Sequence, residues 1–85
     1  MWYVYILLCN DGSLYTGIST DPQKRFLKHL SGKGSKYTRS HSPKEIVYTE
    51  ALLSRSDALK REFEIKQMKK EDKMNLYTSL TTAKR

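Results

Sequence analysis

The chain has 85 residues and a formal net charge of +7, enough for one small domain with a core of little redundancy. No apolar run approaches the ~20 residues needed to cross a bilayer. A single cysteine, Cys9, excludes an internal disulfide, and no Cys/His cluster has zinc spacing.

The chain opens directly on a strand-like pattern, without a basic region followed by an apolar run. No secretory signal is therefore expected, and a reducing cytoplasm is the expected location. WYVYILL, residues 2 to 8, and SLYTGI, residues 13 to 18, read as two strands around an Asp11-Gly12 hairpin turn. They carry Tyr3, Tyr5 and Tyr15, three phenols that each need a hydrogen-bond partner if buried.

Thr20-Asp21-Pro22 reads as a helix start, with a polar cap and proline in the first turn. The helix is expected to run to about Leu30 and to stop at Gly32. Phe26, Leu27 and Leu30 form its expected apolar stripe, with Arg25 and His29 one turn apart beside it. Such a pair can grip a phosphate, because arginine offers a planar fork of donors and histidine donates or accepts. The alternative is a surface arginine and a half-buried histidine.

SGKGSKYTRSHSP, residues 31 to 43, reads as a loop. The positive charge is concentrated around it: between residues 21 and 44, Lys24, Arg25, Lys28, Lys33, Lys36, Arg39 and Lys44 oppose only Asp21. Clustered basic groups with Tyr37, His29 and His41 among them are the footprint of a phosphate-backbone binder. A solvated surface that promotes solubility is the competing account.

EIVYTEALL, residues 45 to 53, reads as a third strand. Ser54 with Asp57 three residues on resembles a capping box and opens a helix to about Lys70. A shorter helix from about Glu71 to Leu80 follows, and 81 to 85 are expected to be a frayed tail of this single domain. On the first of these helices Ala58, Leu59, Phe63 and Ile65 mark an apolar arc, and Glu62 and Lys66 fall inside it. A core-facing carboxylate is costly unless it is paired or bound to a cation. It is either the partner of Lys66 or a cation ligand.

In this order the residues resemble the GIY-YIG nuclease domain, named for a triplet on each strand of its hairpin. Tyr3-Val4-Tyr5 stands where GIY is expected, and Tyr15-Thr16-Gly17 where YIG is expected. A helix with Arg25 and His29 and a later helix with Glu62 complete the pattern. The segments YTGIS, HLSGKGSKYT and ALKREFEIK are most similar to the small stand-alone bacterial proteins of that superfamily.

The resemblance covers residues 2 to about 75 and implies an α+β fold, a three-stranded antiparallel sheet flanked by helices in the order β-β-α-β-α-α. It implies metal-dependent phosphodiester hydrolysis of nucleic acid, with DNA expected, or a binding module of the same fold with little catalysis. Tyr5 and Tyr15 match the motif tyrosines, Arg25 the arginine of the first helix, and Glu62 the glutamate that holds Mg²⁺ or Mn²⁺. His29 falls where relatives carry His or Tyr. Lys33, Lys36, Tyr37, Arg39 and Lys66 are the expected substrate contacts, on a protein expected to be a monomer. The pattern departs at Tyr3, which replaces the first glycine, and at Ile18-Ser19, where repair-type members often carry lysine.

Overall fold

The computed structural model describes residues 1–83, with side chains through Thr78; the end of the expected tail, residues 84 and 85, lies outside the described residues. Seven elements follow one another: β1 (Trp2–Cys9), β2 (Leu14–Ser19), α1 (Pro22–Leu30), α2 (Lys36–Ser40), β3 (Pro43–Leu52), α3 (Arg55–Gln67) and α4 (Lys70–Ala83). The strands form one antiparallel sheet in the order β2-β1-β3.

The hairpin between β1 and β2 closes where Gly12 adopts a φ of 86°, a left-handed conformation that costs glycine nothing. Asp11 Oδ1 accepts from the Ser13 amide at 3.0 Å and the Ser13 hydroxyl at 2.6 Å, which holds the turn. This register sets Tyr5 opposite Gly17 and Leu7 opposite Tyr15.

As the central strand, β1 is covered on both faces, and Val4, Tyr5, Ile6 and Leu7 are all buried. Alternation sends Val4 and Ile6 to one face, where they pack with Ala58 and Ile65 of α3 and with Leu76 of α4. Tyr5 points to the opposite face. Arg61 ties α3 to β3, with its Nε 3.0 Å from Glu50 Oε1 and its Nη1 3.1 Å from Glu64 Oε1.

Several expectations change. The last helix, expected to be the shorter one from about Glu71 to Leu80, runs Lys70–Ala83 and has 14 residues to the 13 of α3, which ends at Gln67. Residues 31 to 43 are not a continuous loop, because Ser35 caps a five-residue helix, α2, by accepting from the Thr38 amide. A Gly/Ser/Lys-rich composition hides so short a helix. β3 then begins at Pro43 instead of 45.

The apolar stripes also lie elsewhere. On α1, Leu27 and Leu30 are exposed, and the inward-facing residues are Pro22, Arg25, Phe26 and His29, at helical spacing. On α3, Phe63 is 65% exposed and Leu59 39%, while Ala58, Arg61, Glu62, Ile65 and Met68 face inward. Both helices turn polar side chains inward, Arg25 and His29 on α1 and Arg61 and Glu62 on α3. Some apolar ones remain outside.

Candidate active site

Tyr5 extends from the middle of β1 beneath β2. It fits there because residue 17 is glycine: a Cβ would lie 2.6 Å from the phenol oxygen and 3.1 Å from Cε2 of Tyr15. The phenol oxygen is 2.9 Å from Nε2 of His29, and His29 Nδ1 is 2.8 Å from Oγ1 of Thr38. The Thr38 hydroxyl reaches the Ser35 carbonyl at 3.3 Å and the Ser35 hydroxyl at 3.0 Å. Tyr5, His29 and Thr38 are 1 to 2% exposed, so the chain is dry.

Gly34 closes the far side of the histidine, and a Cβ at that position would overlap the imidazole. Arg25 donates from Nη2 to the Gly34 carbonyl at 3.2 Å, which binds α1 to the following turn. Arg25 and Tyr15 are only partly buried and form the outer layer over Tyr5 and His29. Tyr15 packs edge-on against His29, with centroids 5.0 Å apart.

The electrostatics follow from this layering. Burial is the largest cause that pushes the Tyr5 phenol up to about 12; Tyr15 and Glu62 add to the shift, and Arg25 opposes it. Burial, and then the Arg25 charge, push the His29 imidazole below its ordinary value, so it is neutral at neutral pH. The Thr38 hydroxyl donates to the Ser35 carbonyl, which leaves its oxygen to accept from the histidine and the phenol proton to point at Nε2. Nδ1–H then donates to Thr38, and one tautomer satisfies the whole chain.

Glu62 approaches from α3. Its side chain is 19% exposed, with Lys66 Nζ 3.4 Å from Oε2. Among the described residues no group of three His, Cys, Asp or Glu side chains could cage a metal. Only Oε2 of Glu62 meets the lysine, and a single carboxylate can hold a hard cation that keeps most of its waters, in competition with Lys66.

Lys33, Lys36 and Arg39 line a shallow hollow of about 450 Å³ together with Gly32, Gly34 and Ser35. A second hollow, of about 230 Å³, is lined by Ser19, Thr20, Asp21, Lys24, Arg25 and Lys28. Arg25 lines the second hollow and also binds the Gly34 carbonyl beside the buried histidine. Tyr37 stacks on Tyr15 with centroids 5.8 Å apart, whereas Lys66 sits apart from these groups on α3.

Sequence reasoning passed over Thr38 and Ser35, although the Ser35-to-Thr38 cap spacing is their signal. It also gave no role to Gly34, whose close approach to His29 no local pattern announces.

Comparison with known proteins identifies the family. The model of the GIY-YIG catalytic domain matches residues 1–75. A UPF0213 protein of Staphylococcus epidermidis is 50% identical over 74 residues, 87% of this chain and 90% of its own length. A UPF0213 protein of Halobacterium salinarum is 43% identical over 77 residues, 91% of this chain and all of the relative. The solution NMR structure of a UPF0213 protein from Bacillus halodurans is 48% identical, with a TM-score of 0.57 over 94% of this chain and 85% of that one. Nucleases of this class are generally metal-dependent and act on nucleic acid. The chain belongs to the GIY-YIG family, in its small stand-alone UPF0213 branch.

Proposed function

We propose that this protein is an endonuclease that hydrolyses phosphodiester bonds of DNA with the help of Mg²⁺ or Mn²⁺. The observation that carries the reading is the dry Tyr5–His29–Thr38 chain beneath Arg25 and Tyr15. A surface that only bound DNA would need its cationic rim and not a buried neutral imidazole aimed at a phenol.

The reaction forms a bond from a water oxygen to phosphorus and breaks the bond from phosphorus to the leaving sugar oxygen. Tyr15, in the outer layer, presents the water. The water proton passes inward to the Tyr5 oxygen as the Tyr5 proton crosses the 2.9 Å hydrogen bond to Nε2 of His29. With a phenol pushed up to about 12, Tyr5 relays a proton instead of standing as a phenolate. Thr38 accepts from Nδ1–H and so steadies the imidazolium as it forms. Arg25 neutralises charge gathering on the phosphoryl oxygens. A divalent cation held by Glu62 would supply further neutralisation at the phosphate. The leaving oxygen takes its proton from solvent, and Lys33, Lys36, Tyr37 and Arg39 hold the flanking strand.

A second reading, a DNA-binding module with little catalysis, is favoured by one observation: Lys66 already occupies Oε2 of Glu62. The two separate in a cleavage assay with labelled single-stranded, duplex and branched DNA in Mg²⁺ and Mn²⁺. Hydrolysis by the parent, abolished by Glu62→Gln at unchanged melting temperature, is the expected result. Binding without hydrolysis under every condition would leave only the second reading.

A further inference from the structure

From the catalytic groups outward, four rings run in an unbroken series from the buried layer to the surface. His29 meets Tyr15 edge-on at 5.0 Å, Tyr15 stacks on Tyr37 at 5.8 Å and 28°, and Tyr37 stacks on His41 at 4.2 Å and 19°. The outer pair is nearly parallel and remains open to solvent: Tyr37 is 37% exposed and the His41 side chain 36%. Nδ1 of His41 is 2.6 Å from Oδ2 of Asp11, a carboxylate itself fixed by Ser13 in the hairpin turn. The outermost ring is therefore held in its plane by a group 30 residues away in the sequence.

Two parallel rings at the surface of so small a domain give up core burial that the fold could use. Lys36 and Arg39 stand on the same short helix as Tyr37, and Lys33 on the turn before it. Parallel rings of restricted orientation beside clustered cations suit a ligand with a planar face and an anionic backbone. In a duplex each base face is covered by its neighbours, so such rings can be used only by an unpaired base.

We propose that the outer face of His41, backed by Tyr37, forms a stacking platform for an unpaired nucleobase, and that this protein selects single-stranded DNA, or a nucleotide swung out of a duplex. The proposal rests on the hydrolytic reading above, because it places the stacked base beside the phosphate to be cut. Stacking is tolerant of base identity, so the platform selects strand state and not sequence. The competing use of the same rings is purely structural, a clamp between α2 and the hairpin turn.

The test uses the Glu62→Gln protein, which binds without cutting, with a single-stranded oligonucleotide carrying 2-aminopurine and the corresponding duplex. Binding should change the fluorescence of the unpaired base through ring stacking. Tyr37→Leu and His41→Ala should each weaken single-strand affinity by roughly tenfold, within the range for loss of a base–aromatic stack, and leave duplex affinity unaltered. Should either variant fail to fold, Tyr37→Phe and His41→Trp carry the test. The first should keep the parent's ratio of single-strand to duplex affinity, and the second, with its larger face, should raise it. Equal losses on both DNA forms, or a ratio that His41→Trp does not raise, would overturn the platform. Absence of cleavage by the parent protein would overturn the hydrolytic reading alone, since fluorescence and affinity ratio do not depend on turnover.

Discussion

Gly34 lies so close to His29 that any Cβ at position 34 would overlap the imidazole ring. The turn after α1 is therefore moulded on the histidine, and the Arg25 bond to the Gly34 carbonyl at 3.2 Å fastens it there. Gly34→Ala must displace either the turn or the ring. Displacing the ring breaks the 2.9 Å hydrogen bond to Tyr5. Overpacking of this kind costs about 1–3 kcal/mol, and a kilocalorie lowers the melting temperature of a domain this size by about 4–8 °C. Calorimetry should find a drop of at least several degrees together with loss of cleavage. A stable, active Gly34→Ala protein would mean that the ring and turn do not touch.

The buried histidine also makes stability depend on pH. Its folded value is pushed down by burial and by Arg25, whereas the unfolded chain titrates near ~6.5. Between these values the unfolded state binds the extra proton, so stability rises with pH across that window. The contribution is complete above about 6.5 and is lost as pH falls through the lowered value. Melting temperatures at neutral and mildly acidic pH should show this slope, and His29→Gln should flatten it. Cleavage by the parent should fall on the same acid side, because an imidazolium accepts no proton.

Thr38→Val tests the far end of the chain. It keeps the shape and removes the acceptor for Nδ1–H, which leaves a buried donor unsatisfied at a cost of about 1–3 kcal/mol. Turnover should fall while KM stays near the parent value, because Thr38 is buried and touches no substrate. Thr38→Ser, which restores a hydroxyl, should recover most of the rate. A Thr38→Val protein with unchanged turnover would remove the tautomer from the mechanism.

How much of this was legible before the structure divides along physical lines. The hairpin, the Asp21 and Ser54 caps and the three strands could be read because each has a local signature in a turn, a cap or alternation, whereas their joining into one antiparallel sheet was implied by the family resemblance. The helix faces could not. Leu27, Leu30 and Phe63 look like core residues, but the inward stripes carry Arg25, His29 and Glu62, whose cost of burial is met by hydrogen-bonding and charged partners. The placement of Glu62 inside its helix's inward arc was the useful exception. Thr38 and Gly34 matter only through His29, a relation of the folded chain and not of any pattern along it.

The basic rim should govern affinity more than rate. If Lys33, Lys36 and Arg39 meet phosphates around their shared hollow, DNA binding weakens steeply as salt rises. Replacing all three by glutamine should lower the magnitude of the logarithmic salt slope by roughly 2 on single strands, about 0.7 for each phosphate no longer neutralised. All three side chains lie at the surface around an open hollow, so the melting temperature should hold. Titrations at several salt concentrations measure both quantities, and an unaltered slope would move the phosphate path elsewhere.

The three tyrosines of the hairpin separate chemistry from packing. Tyr5 is buried with its oxygen on His29, and Tyr15 lies partly exposed in the outer layer; Tyr3 stands apart from both on β1, opposite Ser19. Tyr→Phe at each position keeps the ring and removes only the hydroxyl. At Tyr5 the change cuts the path to Nε2, so single-turnover cleavage should fall by on the order of 10²- to 10⁴-fold, the range for a positioned acid or base. Losing a partner for His29 should also cost about 1 kcal/mol of stability. At Tyr15 the rate should fall within the same range with little change in melting temperature, because its hydroxyl serves the water and not the core. Tyr3→Phe should match the parent in both measurements. If Tyr5→Phe melts lower but cuts at the parent rate, the buried phenol is a structural partner of His29, and proton removal falls to Tyr15. If Tyr15→Phe alone is fully active, the proton enters at Tyr5 directly and the outer phenol only packs against the imidazole edge.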